Sequence, residues 1–390
     1  MDLLSLRHRI NSKLANRVDF ISYLFPKDKR LWVFGSWEGN LYSDNSKYIF
    51  EFVCKNHPEI HAVWITKSKS ICEYVRSKGY PAYTRYSLKG IMYVLTAAVG
   101  FIISDEKRDI SPFINRKLTK IIQLWHGIPA KAFAWKDDKG KNIFRGGNAE
   151  RMASYYWAST SPKYSEYMSE ATLAPLSHFF ITGYPRNDAF YSKPRNDYFE
   201  ELKTRWMGSK LIIYMPTHRN FGKEKIKTDD FLYVDKILRD NNIVMVYKPH
   251  YHELKDVIHL EKEFSNIILA KDQAIWGDPY SYLHYFDLLI SDYSSIIYDF
   301  LCADKPIVLY TYDLEHYRNA DAGFYDTFEN VPVGPFCFTW DETLKEVISL
   351  LASDTWKDKR KKCKDLFLSY DDGNSSRRVF EMSKDILSIS

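Results

Sequence analysis

Residues 287–300 read DLLISDYSSIIYDF: a short apolar run, an Asp-Tyr-Ser-Ser turn, then a second apolar run at helical spacing. A buried strand that passes through polar residues into a helix is the repeating unit of a parallel α/β sheet. The same grammar appears on both sides. Leu211 to Met215, Ile243 to Tyr247, Asn266 to Leu269 and Ile307 to Tyr310 are strand-like runs separated by helical segments. Upstream, Arg30 to Gly35, Ala62 to Thr66, Val99 to Ser104, Ile121 to Trp125, Tyr155 to Ser159 and His178 to Thr182 form an independent series. The charged stretch from Arg195 to Lys210 separates the two. The expectation is an α/β protein of two Rossmann-like domains facing across a cleft, with ligand held at strand carboxyl ends. Residues 29–195 form the first domain and 196–390 the second, preceded by an amphipathic helix over 1–28.

Composition sets the outer limits. The chain has 390 residues, 45% hydrophobic and 16% aromatic, enough for more than one core. A net charge of +5 suits phosphate-rich substrates or anionic lipid and is too slight to indicate nucleic acid. The five cysteines include no CxxC pair, as expected in a reducing, cytoplasmic setting. No apolar run reaches the ~18 to 20 residues of a membrane span. Leu3, Leu6, Ile10 and Leu14, interleaved with Arg7, Arg9 and Lys13, suit either a helix on a membrane surface or one packed on its own domain.

Four clusters follow predicted strands. IIQLWHGIPA (121–130) places His126 and Gly127 past a strand, where a neutral imidazole can serve as a general base or can simply cap the strand end. YMPTHR (214–219) supplies Thr217 and Arg219, and YKPH (247–250) supplies Lys248 and His250. The turn in 287–300 adds Ser294 and Ser295 at a helix start, where amide groups favour an anion, although capping by Asp292, Ser294 or Ser295 needs no ligand. Together these residues suit a pyrophosphate. Asp299, one turn onward, faces the same side and can accept from ribose hydroxyls. Neither GxGxxG nor GxxxxGK[ST] is present, and His250-Tyr-His252 lacks the further ligands of a metal site, so no metal and no cofactor are expected. Ser43-Asp44-Asn45 is read as the cap of a helix beginning at Ser46 or Lys47.

In order, WHG, GYPRND (183–188), YMPTHR, YKPH and ISDYSSIIYDF resemble the CDP-glycerol glycerophosphotransferase family, the teichoic-acid primases and polymerases and their capsule-synthesis relatives. The resemblance runs from about Leu31 to the mid-300s. It implies a metal-independent fold of the glycosyltransferase B type. Its activity would be transfer of glycerol phosphate, or another polyol phosphate, from a CDP-polyol to an acceptor hydroxyl of a lipid-linked or polymeric acceptor, with release of CMP. It implies work at the cytoplasmic face of the bacterial cell membrane, peripheral to it, with no nucleic-acid partner. By resemblance His126 is the base and His250 contacts donor phosphate, Ser294, Ser295 and Asp299 hold donor, and Gly127, Asn45 and Arg186 lie on the acceptor side. Two other readings stay open at this point: a nucleotide-sugar glycosyltransferase of the same fold, and a non-catalytic module that binds anionic polymer.

Overall fold

The computed structural model describes residues 22–130, 147–217, 228–249, 264–320 and 323–388. These form two compact units. The first draws on residues 22–126, 147–188 and 372–388, and the second on 127–130 and 189–371.

The first unit is built on a seven-stranded sheet of order β3-β2-β1-β4-β5-β6-β7. Its strands are β1 (Asp28–Phe34), β2 (His61–Thr66), β3 (Ala82–Thr84), β4 (Ala97–Ile102), β5 (Lys120–Gln123), β6 (Tyr156–Ser159) and β7 (Phe179–Ile181). Every pairing is parallel. Such a sheet is covered on both faces, which is why β4 reads as an unbroken apolar run with every residue buried. Strand order reverses between β1 and β4, opening a crevice at their carboxyl ends. Phe34 and Phe101 stack across this pair with centroids 4.4 Å apart.

The second unit repeats the plan with β8 (Lys210–Tyr214), β9 (Ile243–Tyr247), β10 (Ile267–Leu269), β11 (Leu288–Ser291), β12 (Ile307–Tyr310) and β13 (Phe336–Cys337). The order is β10-β9-β8-β11-β12-β13, again parallel, and here the reversal falls between β8 and β11. Tyr214 stacks on Tyr247 at 5.2 Å and meets Trp340 edge-on at 5.3 Å, fixing the core beneath that crevice.

The two-domain α/β architecture is as the sequence predicts, with β3 and β13 as additions. The division along the chain differs from a single cut at 195/196. The first unit's central run ends at Asp188, and residues from Asp372 onward return to it. The reason is apolar: helix Ser375–Ser388 buries Val379, Phe380, Met382, Ile386 and Leu387 in the cluster that holds Trp32 and Phe50. At about 1.5 to 3 kcal/mol per large apolar side chain, that face outweighs any preference for the unit preceding it in sequence. Residues 1–21, most of the expected N-terminal helix, lie outside the described residues. Among the described residues no helix is long and apolar enough to cross a membrane.

Candidate active site

In the first unit the chain leaves β5 through Leu124 and Trp125 and reaches His126 beside the β1/β4 crevice. Trp125 has φ +53°, a left-handed conformation costly for an aromatic residue. It is held on both sides of its backbone. Its N–H donates to Gln123 Oε1 at 3.0 Å, and its carbonyl accepts from Asn45 Nδ2 at 3.0 Å. Asn45 also reaches the Leu124 carbonyl at 3.2 Å, while its Oδ1 accepts the Arg186 N–H at 3.2 Å. Arg186 donates through Nη1 to Asp44 at 2.7 Å, and both partners are nearly without solvent contact. Asp44 itself has φ +65°.

The His126 ring is half-buried, stacked on Trp125 at 4.4 Å and tilted against Trp37 at 5.7 Å. Its Nδ1 lies 3.1 Å from the Ile103 carbonyl oxygen just beyond β4. A carbonyl only accepts, so Nδ1 carries the hydrogen and the neutral ring keeps its lone pair on Nε2. Desolvation lowers the imidazole pKa below its ordinary value, opposed by the Ile103 bond and the charge of Asp44, with Arg186 adding to the lowering. The result is a neutral base at working pH.

His126 therefore stands where the sequence puts it, and Gly127 follows with φ +151°, which favours glycine. Asn45 and Arg186 differ from the acceptor-side expectation. Asn45 is fully buried and Arg186 almost so; Asn45 braces the backbone before His126, and the Arg186 guanidinium is engaged with the Asp44 carboxylate. The helix beginning near Ser46 starts instead at Asp44, with Ser43 at the cap position and no side-chain cap bond.

In the second unit, Thr217 past β8 and Asp292 past β11 meet at the strand-order reversal. Asp292 accepts from Thr217 N–H at 2.9 and 3.0 Å, from Thr217 Oγ1 at 2.6 Å and from Tyr293 N–H at 2.6 Å. It is thus the clamp between the two central strands and not a helix cap. Ser294 and Ser295 are half-buried beside it at the start of helix Ile296–Asp299, where Ser295 makes no side-chain cap bond. Lys248 follows β9, bonded through its N–H to the Tyr214 carbonyl at 2.9 Å. Desolvation by burial lowers its pKa below the ordinary lysine value. Asp299 departs from the ribose-contact expectation: it is fully buried and accepts from Tyr280 Oη at 2.9 Å. Arg219 and His250 lie outside the described residues, as does His252.

Residue spacing does not reveal Asp109, Gln123 or Trp37. Asp109 is fully buried and Trp37 is 41% exposed. The faint signal was strand-end position: Trp37 follows β1 and Asp109 follows β4, the two strands that bound the crevice. A cavity of about 500 Å³ in this unit, between Phe52, His57, Asp188 and Arg377, takes Asp188 from the GYPRND motif and none of the candidate site residues.

Comparison with known proteins supplies the context. The profile of the CDP-Glycerol:Poly(glycerophosphate) glycerophosphotransferase family matches residues 18–383. A teichoic acid poly(glycerol phosphate) polymerase of Bacillus spizizenii is 28% identical over 385 residues, covering 92% of this chain and 93% of that protein. Its counterpart in Bacillus subtilis is 27% identical over 368 residues, covering 90% of this chain and 48% of that longer protein. Among solved structures, the wall teichoic acid polymerase TagF superposes with TM-score 0.77 at 24% identity, covering 98% of this chain and 97% of that one.

Proposed function

This chain belongs to the CDP-glycerol:poly(glycerophosphate) glycerophosphotransferase family, and from that premise we propose that His126 is the general base in transfer of glycerol phosphate from CDP-glycerol to an acceptor hydroxyl. His126 Nε2 takes the proton of the hydroxyl. The oxygen attacks the phosphorus that carries glycerol, a new phosphodiester forms, and the bond to the bridging oxygen breaks to release CMP. In such a transfer most of the catalysis is positioning and neutralisation of charge on the phosphate oxygens.

The observation that supports this best is the His126 Nδ1 contact with the Ile103 carbonyl, which reserves Nε2 for the substrate. Lys248, Ser294 and Ser295 at strand ends of the second unit would receive the diphosphate, joined in our reading by Arg219 and His250. We assign the acceptor to a cell-surface polymer of the teichoic-acid kind, as the names of the polymerases above suggest, and in our reading it is lipid-linked or polymeric and met at the inner face of the membrane. The reaction as proposed needs no metal.

The test is to incubate the protein with CDP-glycerol, CDP-ribitol and nucleotide-sugars, together with a lipid-linked or polymeric acceptor, and identify the released nucleotide. CMP from a CDP-polyol supports the proposal and names the polyol. UDP or GDP from a nucleotide-sugar would overturn it. His126→Ala should abolish CMP release and leave donor affinity largely intact; an active His126→Ala enzyme would remove the base from the scheme.

A further inference from the structure

Asp109 is fully buried four residues beyond Asp105 and carries four accepted hydrogen bonds. Its Oδ2 accepts from Ile103 N–H at 2.9 Å and from Ser104 N–H at 2.8 Å. Its Oδ1 accepts from Glu38 N–H at 2.9 Å and from Ser104 Oγ at 3.0 Å. The Ser104 N–H and the Ile103 carbonyl belong to one peptide group, and that carbonyl is the acceptor for His126 Nδ1 at 3.1 Å. Carboxylate, peptide and imidazole therefore stand in line, each hydrogen bond polarising the next.

We propose that Asp109 is a positioning residue for His126, acting through the Ile103–Ser104 peptide to fix which ring nitrogen is free to take a proton. A carboxylate drawing on the N–H end of a peptide makes its carbonyl end a stronger acceptor. That favours the tautomer with hydrogen on Nδ1 over its alternative, as a carboxylate does when bonded to an imidazole directly. The same Asp109 oxygen that takes Ser104 Oγ also pins the Glu38 N–H. Trp37 and Glu38 are both left-handed, at φ +45° and +56°, and the Trp37 ring leans on His126. One buried carboxylate thus holds both the imidazole and the turn that carries its aromatic neighbour.

The backbone points to the same place. Among the described residues of the first unit the non-glycine residues with positive φ are Trp37, Glu38, Asp44, Trp125 and Leu173, and all but Leu173 belong to the network around His126. Strained residues persist only where surrounding bonds over-determine them, and they gather where a side chain must be aimed. A purely structural Asp109 would staple the turn after β1 to the end of β4 with no effect on the chemistry of the ring. The two roles separate by measurement.

The inference rests on His126 being the base, and the experiment is chosen to read the ring directly. The protein is labelled with ¹⁵N-histidine, and the His126 resonances are identified by their loss in His126→Asn. The expected wild-type ring at pH above its pKa carries hydrogen on Nδ1. Asp109→Asn removes the charge while Asp44 and Arg186, the other charged groups that act on the ring among the described residues, stay in place. In that variant the tautomers should mix. The acid limb of kcat/KM should move to lower pH, and kcat should fall on the order of 10- to 100-fold with donor KM little changed. Asp109→Glu, which keeps the charge, should lie nearer wild type in tautomer and pH midpoint. A wild-type ring with hydrogen on Nε2, or an Asp109→Asn enzyme with wild-type tautomer and pH profile, overturns the inference; the first measurement needs no variant of Asp109 to fold. Full turnover by His126→Asn would instead sink the base assignment and leave the ring spectrum to judge the relay.

Discussion

The Asn45 side-chain amide lies 3.0 Å from the Trp125 carbonyl oxygen, tying the first turn of helix Asp44–Asn56 to the residue before His126. With its second bond to Leu124 and its acceptance of the Arg186 N–H, Asn45 spends its polar groups on the backbone. Asn45→Ala should cost about 1 to 3 kcal/mol by stranding buried carbonyls. It should also let Trp125 relax from φ +53° and so lower kcat on the order of 10-fold or more, with donor KM unchanged. Urea unfolding and steady-state rates on one preparation test this, and an Ala variant with full kcat contradicts it.

The buried Arg186–Asp44 pair behaves differently when broken than when replaced. Arg186→Met alone leaves a carboxylate without its cation and should cost about 3 to 5 kcal/mol. Adding Asp44→Asn removes the orphaned charge and should recover a substantial part, because asparagine tolerates the left-handed backbone at that position. A double-mutant cycle from denaturation midpoints is the measurement. Strict additivity would show that the two side chains are not coupled.

Two of the described histidines have pKa values lowered by desolvation. The folded pKa of His126 is lowered by desolvation, so turnover should hold at neutral pH and fall only below the ordinary histidine value of ~6.5. His284 is pushed down to about 4 by burial, reinforced by Lys305, Lys193 and Lys203. A histidine whose folded pKa lies below its unfolded value binds a proton less readily when folded. Its contribution is present above ~6.5 and is lost as pH falls towards the folded pKa. Urea midpoints taken from pH 7 downward should therefore decline, and His284→Gln should flatten the decline. An unchanged slope in that variant refutes the assignment to His284.

Asp299 should report on stability before substrate. Tyr280→Phe removes a donor from a fully buried carboxylate and should cost about 1 to 3 kcal/mol while leaving donor KM nearly unchanged. A large rise in donor KM without loss of stability would return Asp299 to the donor site.

Because the proposed step neutralises charge with side chains, prolonged chelation followed by desalting should leave CMP release intact. Loss of activity restored by a divalent cation would require a metal in the scheme.

Much of this was legible beforehand because buried parallel strands declare themselves as apolar runs ending in polar residues. β3 and β13 were missed because Ala82–Thr84 and Phe336–Cys337 are too short to carry a pattern. His126 was legible as the residue after a strand. The motifs draw attention to Asn45 and Arg186 without showing that their polar groups are buried and bonded within the protein, since a polar side chain in a motif looks alike whether it meets ligand or protein until its burial is known. Asp109 was silent for a related reason: three of its four partners are main-chain N–H groups, which every non-proline residue offers. The return of helix Ser375–Ser388 to the first unit was unreadable because amphipathic spacing defines a face without naming its partner.

That return has a consequence for how the protein is made. The second unit's strands all emerge from the ribosome before Val379 and Phe380 do, so its core can close while the first sheet still lacks one wall. A nascent chain that has released residues up to 371 would hold the whole of the second unit and a first unit whose Trp32 lacks the Phe380 ring against it. The unit whose strands are synthesised first is thus the last to be completed, and His126 stands in a scaffold that waits for a helix made after every strand of the other unit.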